Sequence, residues 1–336
     1  MNAMNAMTAS QQAPAPTATV LREFEAELVV TAVRDAAEGV KTITLASPAG
    51  TTLPPWSPGA HIDVVLGEDL TRQYSLCGDT SDDTAWRIGV LAAPDSRGGS
   101  ARVHELKTGG TVRVRGPRNH FPLVGAPSYQ FIAGGIGITP VLPMIAEAEA
   151  AGASWNLLYG GRQRASMAFL DELQKYGQDQ VSITPQDERG HLNLAECLGT
   201  ARPGTLVYCC GPEGLLTAVE EACTAWPAGT LHIERFAPKA VTAGSDSEDA
   251  FELVLQRSGL TLQVPPDKSV FDVVSEAGVS VLGSCFEGVC GTCEQAVING
   301  EVDHRDSILS DEEREANEYM MICVSRCRSA RLTLDL

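Results

Sequence analysis

Four cysteines near the end of this 336-residue chain constrain its fold more than any other feature. Cys285, Cys290 and Cys293 form a C-x4-C-x2-C run, and Cys323 follows 30 residues later. This is the spacing of a plant-type [2Fe-2S] centre, in which a tight loop wraps one rim of the cluster and a distant thiolate completes the two tetrahedra. Gly283, Gly288 and Gly291 interleave the ligands, because a backbone that donates N–H bonds to inorganic sulfide has little room for Cβ atoms. A zinc site pairs its cysteines as two short hooks, and the long excursion before Cys323 argues against one. Cys327 competes as fourth ligand, but a lone cysteine four residues on is more often a small buried residue, so Cys323 is preferred.

The remaining cysteines, Cys77, Cys197, Cys209, Cys210 and Cys223, are scattered among apolar neighbours. Ten cysteines without a secretion signal point to metal ligation and inert buried thiols rather than to disulfides. The first residues carry no basic stretch followed by an apolar core, so 1–21 is expected to be a disordered tail and the protein to be cytoplasmic. A hydrophobic share of 43% with 20% charged residues, and no apolar run near ~20 residues, describe a soluble globular chain. The net charge of -18 excludes nucleic acid and anionic membranes as partners. From Asp246 onward 18 acidic residues face 7 basic ones, leaving -11; this is either a solvated face or a steering patch for a basic redox partner.

The spacing of apolar runs divides the chain further. Between 22 and 124, short strand-like stretches at Thr42–Leu45, His61–Val64, Tyr74–Leu76, Trp86–Val90 and Val112–Val114 are separated by Gly, Pro and Asp, which predicts an antiparallel barrel or sandwich. From 125 to 236, apolar runs alternate with helical stretches over 140–151, 166–176 and 213–225, which predicts a parallel sheet covered by helices. A polar linker is expected over 237–250. The segment 251–336 opens with a hairpin turning at Ser258-Gly259, enters a helix near Ser269 and ends on a strand at Arg331, the order of a β-grasp unit.

Four further sets of residues suggest ligands. Arg72, Gln73, Tyr74 and Ser75 form a strand with Arg72 and Tyr74 on one face and Ser75 on the other. Arg97, Gly98, Gly99 and Ser100 precede a helical stretch whose free N–H groups can hold a phosphate. Gly134, Gly135 and Gly137, with Thr139 just beyond them, join a strand to a helix and can approach a pyrophosphate. Cys210, Gly211 and Pro212 make a second turn of the same kind. His61, His104 and His120 have no carboxylate or cysteine at ligand spacing and take structural or cofactor-edge roles.

With R-x-Y-S-L, R-G-G-S, G-G-I-G-I-T-P, C-G-P and C-x4-C-x2-C in this order, the chain closely resembles the phthalate dioxygenase reductase family from about residue 22 to 336. The resemblance implies a flavin barrel, a ferredoxin reductase-like α/β nicotinamide domain and a C-terminal ferredoxin domain. It implies that Arg72, Gln73, Tyr74 and Ser75 lie along the flavin, that the R-G-G-S loop holds the phosphate of FMN rather than FAD, and that Gly134, Gly135, Gly137 and Thr139 receive the dinucleotide. It places Ser75, Thr139, Cys210 and Phe236 at the reacting rings. NADH is the implied donor, with NADPH left open through Arg162 and Arg164. The implied activity is that of the reductase component of a multicomponent Rieske-type oxygenase, the oxygenase being a separate chain. Flavin converts the two-electron hydride into single electrons for the cluster. The alternatives are a reductase serving a ferredoxin or haem protein, and a non-catalytic redox carrier.

Overall fold

A computed structural model describes residues 23–67, 70–93, 98–239 and 249–336. The expected tail, Arg97 and most of the expected linker lie outside these residues. Strands β1 (Glu25–Ala37), β2 (Val40–Ala46), β3 (His61–Gly67), β4 (Leu70–Ser75), β5 (Ala85–Leu91) and β6 (Thr111–Arg118) form an antiparallel sheet of order β4-β3-β6-β1-β2-β5. Leu76, just past β4, bridges Ile88 of β5; the two edges meet and the sheet closes as a barrel. Alternation builds it. In β6 Val112 and Val114 are buried, whereas Arg113 and Arg115 point outward and pair with Glu25 of β1. The long strand β1 was not among the predicted runs, although Leu28-Val29-Val30-Thr31-Ala32-Val33 at its centre is rich in β-branched residues; it pairs with both β2 and β6.

Helix α1 (Gly99–His104) leads out of β5. Strands β7 (Ser128–Gly134), β8 (Ser154–Gly161), β9 (Val181–Pro185), β10 (Thr205–Cys210) and β11 (Leu231–Glu234) then form a wholly parallel sheet of order β11-β10-β7-β8-β9. Its connections carry α2 (Ile138–Ala150), α3 (Leu170–Leu173), α4 (Gln186–Arg189), α5 (Leu194–Leu198) and α6 (Glu213–Ala222). The stretch 166–176 holds only the single turn α3, entered through Phe169 in a left-handed conformation with φ 64°. Phe131, Met144, Trp155 and Tyr159 share one apolar core with Val40, Cys77 and Phe121 of the barrel. The first two units are therefore joined by a continuous hydrophobic contact.

The last unit contains β12 (Phe251–Leu255), β13 (Leu260–Val264), α7 (Val270–Glu276), β14 (Glu294–Asn299), β15 (Val302–Asp303), α8 (Asp311–Ala316), β16 (Tyr319–Met321), β17 (Arg326–Cys327) and β18 (Arg331–Leu334). Its mixed sheet runs β13-β12-β18-β14-β16, with β12 and β18 parallel. Ser269 caps α7 through a reciprocal hydrogen bond with Asp272, and Val270, Val273 and Val274 are buried beneath it. The hydrophobic core of this unit is its own, drawn from residues between 251 and 336. Among the described residues no helix is long and apolar enough to cross a membrane.

Candidate functional site

The cluster loop is the first part of the site. The thiols of Cys285 and Cys290, of Cys285 and Cys323, and of Cys323 and Cys293 lie in mutual hydrogen-bonding contact. The four thiols are thus gathered in one place, where two could serve each iron of a dinuclear cluster. Gly288 and Gly291 both take φ +69°, and a Cβ at Gly288 would lie 2.9 Å from the backbone of Asp306, so the loop can turn inward only through glycine. Cys327 points elsewhere, its sulfur 3.1 Å from Ser329 Oγ. The donor set therefore fits a [2Fe-2S] cluster with Cys323 as fourth ligand.

Strand β4 is the second part. Arg72 lies across the first turn of α1, where a Cβ on Gly99 would come within 2.5 Å of the Arg72 Cγ. Gly98 is left-handed at φ 84°, and Ser100 Oγ accepts a hydrogen bond from the Ala93 N–H. Arg72, Gly98, Gly99 and Ser100 are thus gathered into one cradle that fits a phosphate monoester. Tyr74 packs along the barrel core, and burial pushes its phenol up to about 12. Gln73 turns away from Arg72 and Tyr74: its Nε2 donates to Asp63 Oδ1 at 2.8 Å and to Ser284 Oγ at 2.5 Å.

The third part is the carboxyl end of the parallel sheet. Ser75 Oγ donates to Glu234 Oε2 at 3.5 Å and Cys210 Sγ donates to the same oxygen at 3.8 Å, long contacts of a loosely packed cluster. Loss of solvent pushes the Glu234 carboxyl up to about 8 and the buried Cys210 thiol well above its usual value. Sequence reasoning missed Glu234; the signal for it is a carboxylate closing the otherwise apolar end of β11. Thr139 does not join this group, since its hydroxyl donates to Ile136 O and its methyl faces Gly89. Phe236 is 45% exposed, so it is not a core residue.

The two glycine turns are explained mainly by each other. A Cβ at Gly137 would lie 2.2 Å from the Cys210 carbonyl oxygen, and one at Gly134 would lie 2.6 Å from Pro212 Cδ. Only Gly135, at φ +55°, has open space around it. Arg164, an expected phosphate contact, is held by Glu188 in a two-pronged ion pair at 2.9 and 2.7 Å. His104 binds the Val90 carbonyl at 2.9 Å. His61 and His120 face each other at 6.0 Å, and burial, then Arg118, pushes His61 down to about 3. Burial likewise lifts Cys77 to about 12 and Cys223 to about 11, as expected of inert thiols.

Residues 253–328 match the 2Fe-2S iron-sulfur cluster binding domain, and residues 121–231 match the N-terminal domain of the dimethylamine monooxygenase subunit DmmA-like family. The phthalate dioxygenase reductase of Burkholderia cepacia is 36% identical over 306 residues, 89% of this chain and 94% of that protein. The chain belongs to the phthalate dioxygenase reductase family. A solved phthalate dioxygenase reductase, described as a modular structure for electron transfer from pyridine nucleotides to [2Fe-2S], superimposes over 93% of this chain and 98% of its own with a TM-score of 0.67. The phenoxybenzoate dioxygenase subunit beta of Ectopseudomonas oleovorans is 43% identical over 92% of this chain and 97% of its own. An intact type IV self-sufficient cytochrome P450 monooxygenase matches at 44% identity and a TM-score of 0.87 over 93% of this chain, which spans 41% of that longer protein. This family member is an NADH-dependent oxidoreductase using FMN and a [2Fe-2S] cluster, and it supplies electrons to a separate oxygenase component.

Proposed function

We propose that electrons enter and leave along a single face of β4 in a cytoplasmic reductase whose acceptor is a Rieske-type oxygenase. The observation that carries this reading is the placement of Ser75 and Gln73. They stand two residues apart on one face, separated by about 7 Å, and Ser75 touches the nucleotide unit through Glu234 while Gln73 touches the cluster loop through Ser284. The units responsible are 22–124, 125–236 and 251–336.

Arg72, Gly98, Gly99 and Ser100 would hold the FMN phosphate, with Tyr74 and Ser75 along the ring and Phe236 over it. Gly135 and the turn at Cys210, Gly211 and Pro212 would line the path of the dinucleotide. FMN supplies the exchange between a two-electron donor and a one-electron carrier. Ser75, Cys210 and Glu234 shape the contact between donor and ring, keep water out of it and hold the Glu234 proton at neutral pH. The pairing of Arg164 with Glu188 occupies one of the two arginines that a 2'-phosphate could meet, and NADH is the donor to which the family points. Anaerobic titration of the purified holoprotein with NADH tests the reading: flavin and cluster absorption should both bleach, and iron bands that stay oxidised would overturn it.

A second acceptor class, a cytochrome P450, is favoured by the extent of the match to the self-sufficient monooxygenase. Parallel assays with a Rieske oxygenase and a P450 separate the two by which protein accepts electrons from the NADH-reduced chain.

A further inference from the structure

We infer that Asp63, Gln73 and Ser284 form a latch that docks the cluster unit on the flavin barrel and so sets the rate of electron transfer between them. Asp63 and Gln73 are direct cross-strand partners on β3 and β4. Asp63 is fully buried, held by Arg118, and accepts the Gln73 amide; the same amide nitrogen donates to Ser284, itself 7% exposed and next to the ligand Cys285. One amide group therefore connects the barrel wall to the cluster loop.

Two further contacts lie along the same strip of barrel. A Cβ at Gly291 would fall 2.3 Å from His120 Nε2, so the loop presses its backbone against that ring. Arg118 stands within electrostatic reach of Cys290. These contacts differ in kind from the one between barrel and nucleotide unit, which share a continuous apolar core. The cluster unit keeps its own core and meets β4 through a polar side chain. A single hydrogen bond is a small part of an apolar interface and a large part of a polar one.

The latch moves no proton and carries no electron; it fixes the separation across which one electron passes from reduced flavin to oxidised cluster. It is a positioning device and rests on the reading that both cofactors are bound. Ser284→Ala removes the acceptor on the cluster side, leaving the Gln73 amide with Asp63 alone and touching no ligand, and Ser284→Thr keeps the hydroxyl. In holoprotein, freeze-quenched after mixing with NADH, we expect the alanine variant to reduce its cluster about tenfold more slowly, the factor of one lost hydrogen bond. Flavin bleaching by NADH and the cluster midpoint potential should match wild type. In resting protein, amide exchange should rise over 70–75 and 284–291, and the threonine variant should restore both rate and protection. Unchanged cluster reduction with unchanged exchange, or a slowdown matched by a shifted potential, would overturn the latch. Wild-type protein in which NADH bleaches no flavin would instead overturn the reading beneath it.

Discussion

Glu234→Gln isolates the most perturbed carboxyl of the nucleotide crevice. In an unfolded chain a glutamate titrates near 4.5, whereas in the fold loss of solvent raises Glu234 to about 8. Below about pH 4.5 both states hold the proton. Between 4.5 and 8 only the folded state holds it, so wild-type stability falls as pH rises, by up to about 1.4 kcal/mol per unit. Above 8 both states have lost the proton and the fall stops. The whole window corresponds to about 5 kcal/mol, and since the residue is only half-buried, solvent screening reduces this to roughly 2–3 kcal/mol. The glutamine variant has no proton to lose. Its melting temperature should therefore gain on wild type steadily from pH 5 to pH 8, by an amount on the order of 5–10 °C, and level off beyond. Thermal unfolding of both proteins at matched ionic strength measures the difference directly. A gap that stays constant across that window would show that Glu234 titrates as an ordinary exposed carboxyl and would refute the argument.

Three other outcomes can be checked. Cys323→Ser should abolish acid-labile sulfide and the cluster EPR signal, whereas Cys327→Ser, whose sulfur faces Ser329, should keep iron and sulfide at wild-type content. Gly137→Ala pushes a methyl to 2.2 Å from the Cys210 carbonyl and should lower stability by several kcal/mol, about 3 or more. Gly135→Ala meets no neighbour and should lose only about 1–2 kcal/mol for its left-handed backbone, so comparative chemical denaturation should rank the two. Glu188→Ala releases Arg164 from its ion pair and should raise kcat/KM for NADPH by roughly tenfold relative to NADH; an unchanged ratio in steady-state assays would count against a role for Arg164 near the 2'-position.

Much of this architecture is legible in the sequence wherever covalent spacing or a local turn carries the information. The C-x4-C-x2-C loop and distant Cys323 could be recognised because cluster geometry fixes the intervals, and α7 because Ser269 and Asp272 cap it within four residues. β1 was legible too, in the β-branched run Leu28-Val29-Val30-Thr31-Ala32-Val33, yet it was not among the predicted strands. Gly134 and Gly137 suggested a ligand, and the fold shows that much of the demand for small residues comes from Cys210 and Pro212, more than 70 positions away. Gln73 was grouped with the flavin residues because it sits among them in sequence. Its partner Ser284 is 211 positions along the chain, and no local pattern announces such a pair. Glu234 stayed hidden for a similar reason: a single carboxylate acquires its unusual affinity for a proton only after Ser75 and Cys210 have been folded around it.

The cross-strand pairing of β3 and β4 has a mechanical consequence. Asp63 opposes Gln73 and His61 opposes Ser75, so one hairpin acts as a shared ruler for both neighbours of the barrel. Tilting that hairpin would alter the spacing on its two sides at once, and variants that loosen it should disturb hydride arrival and electron departure together.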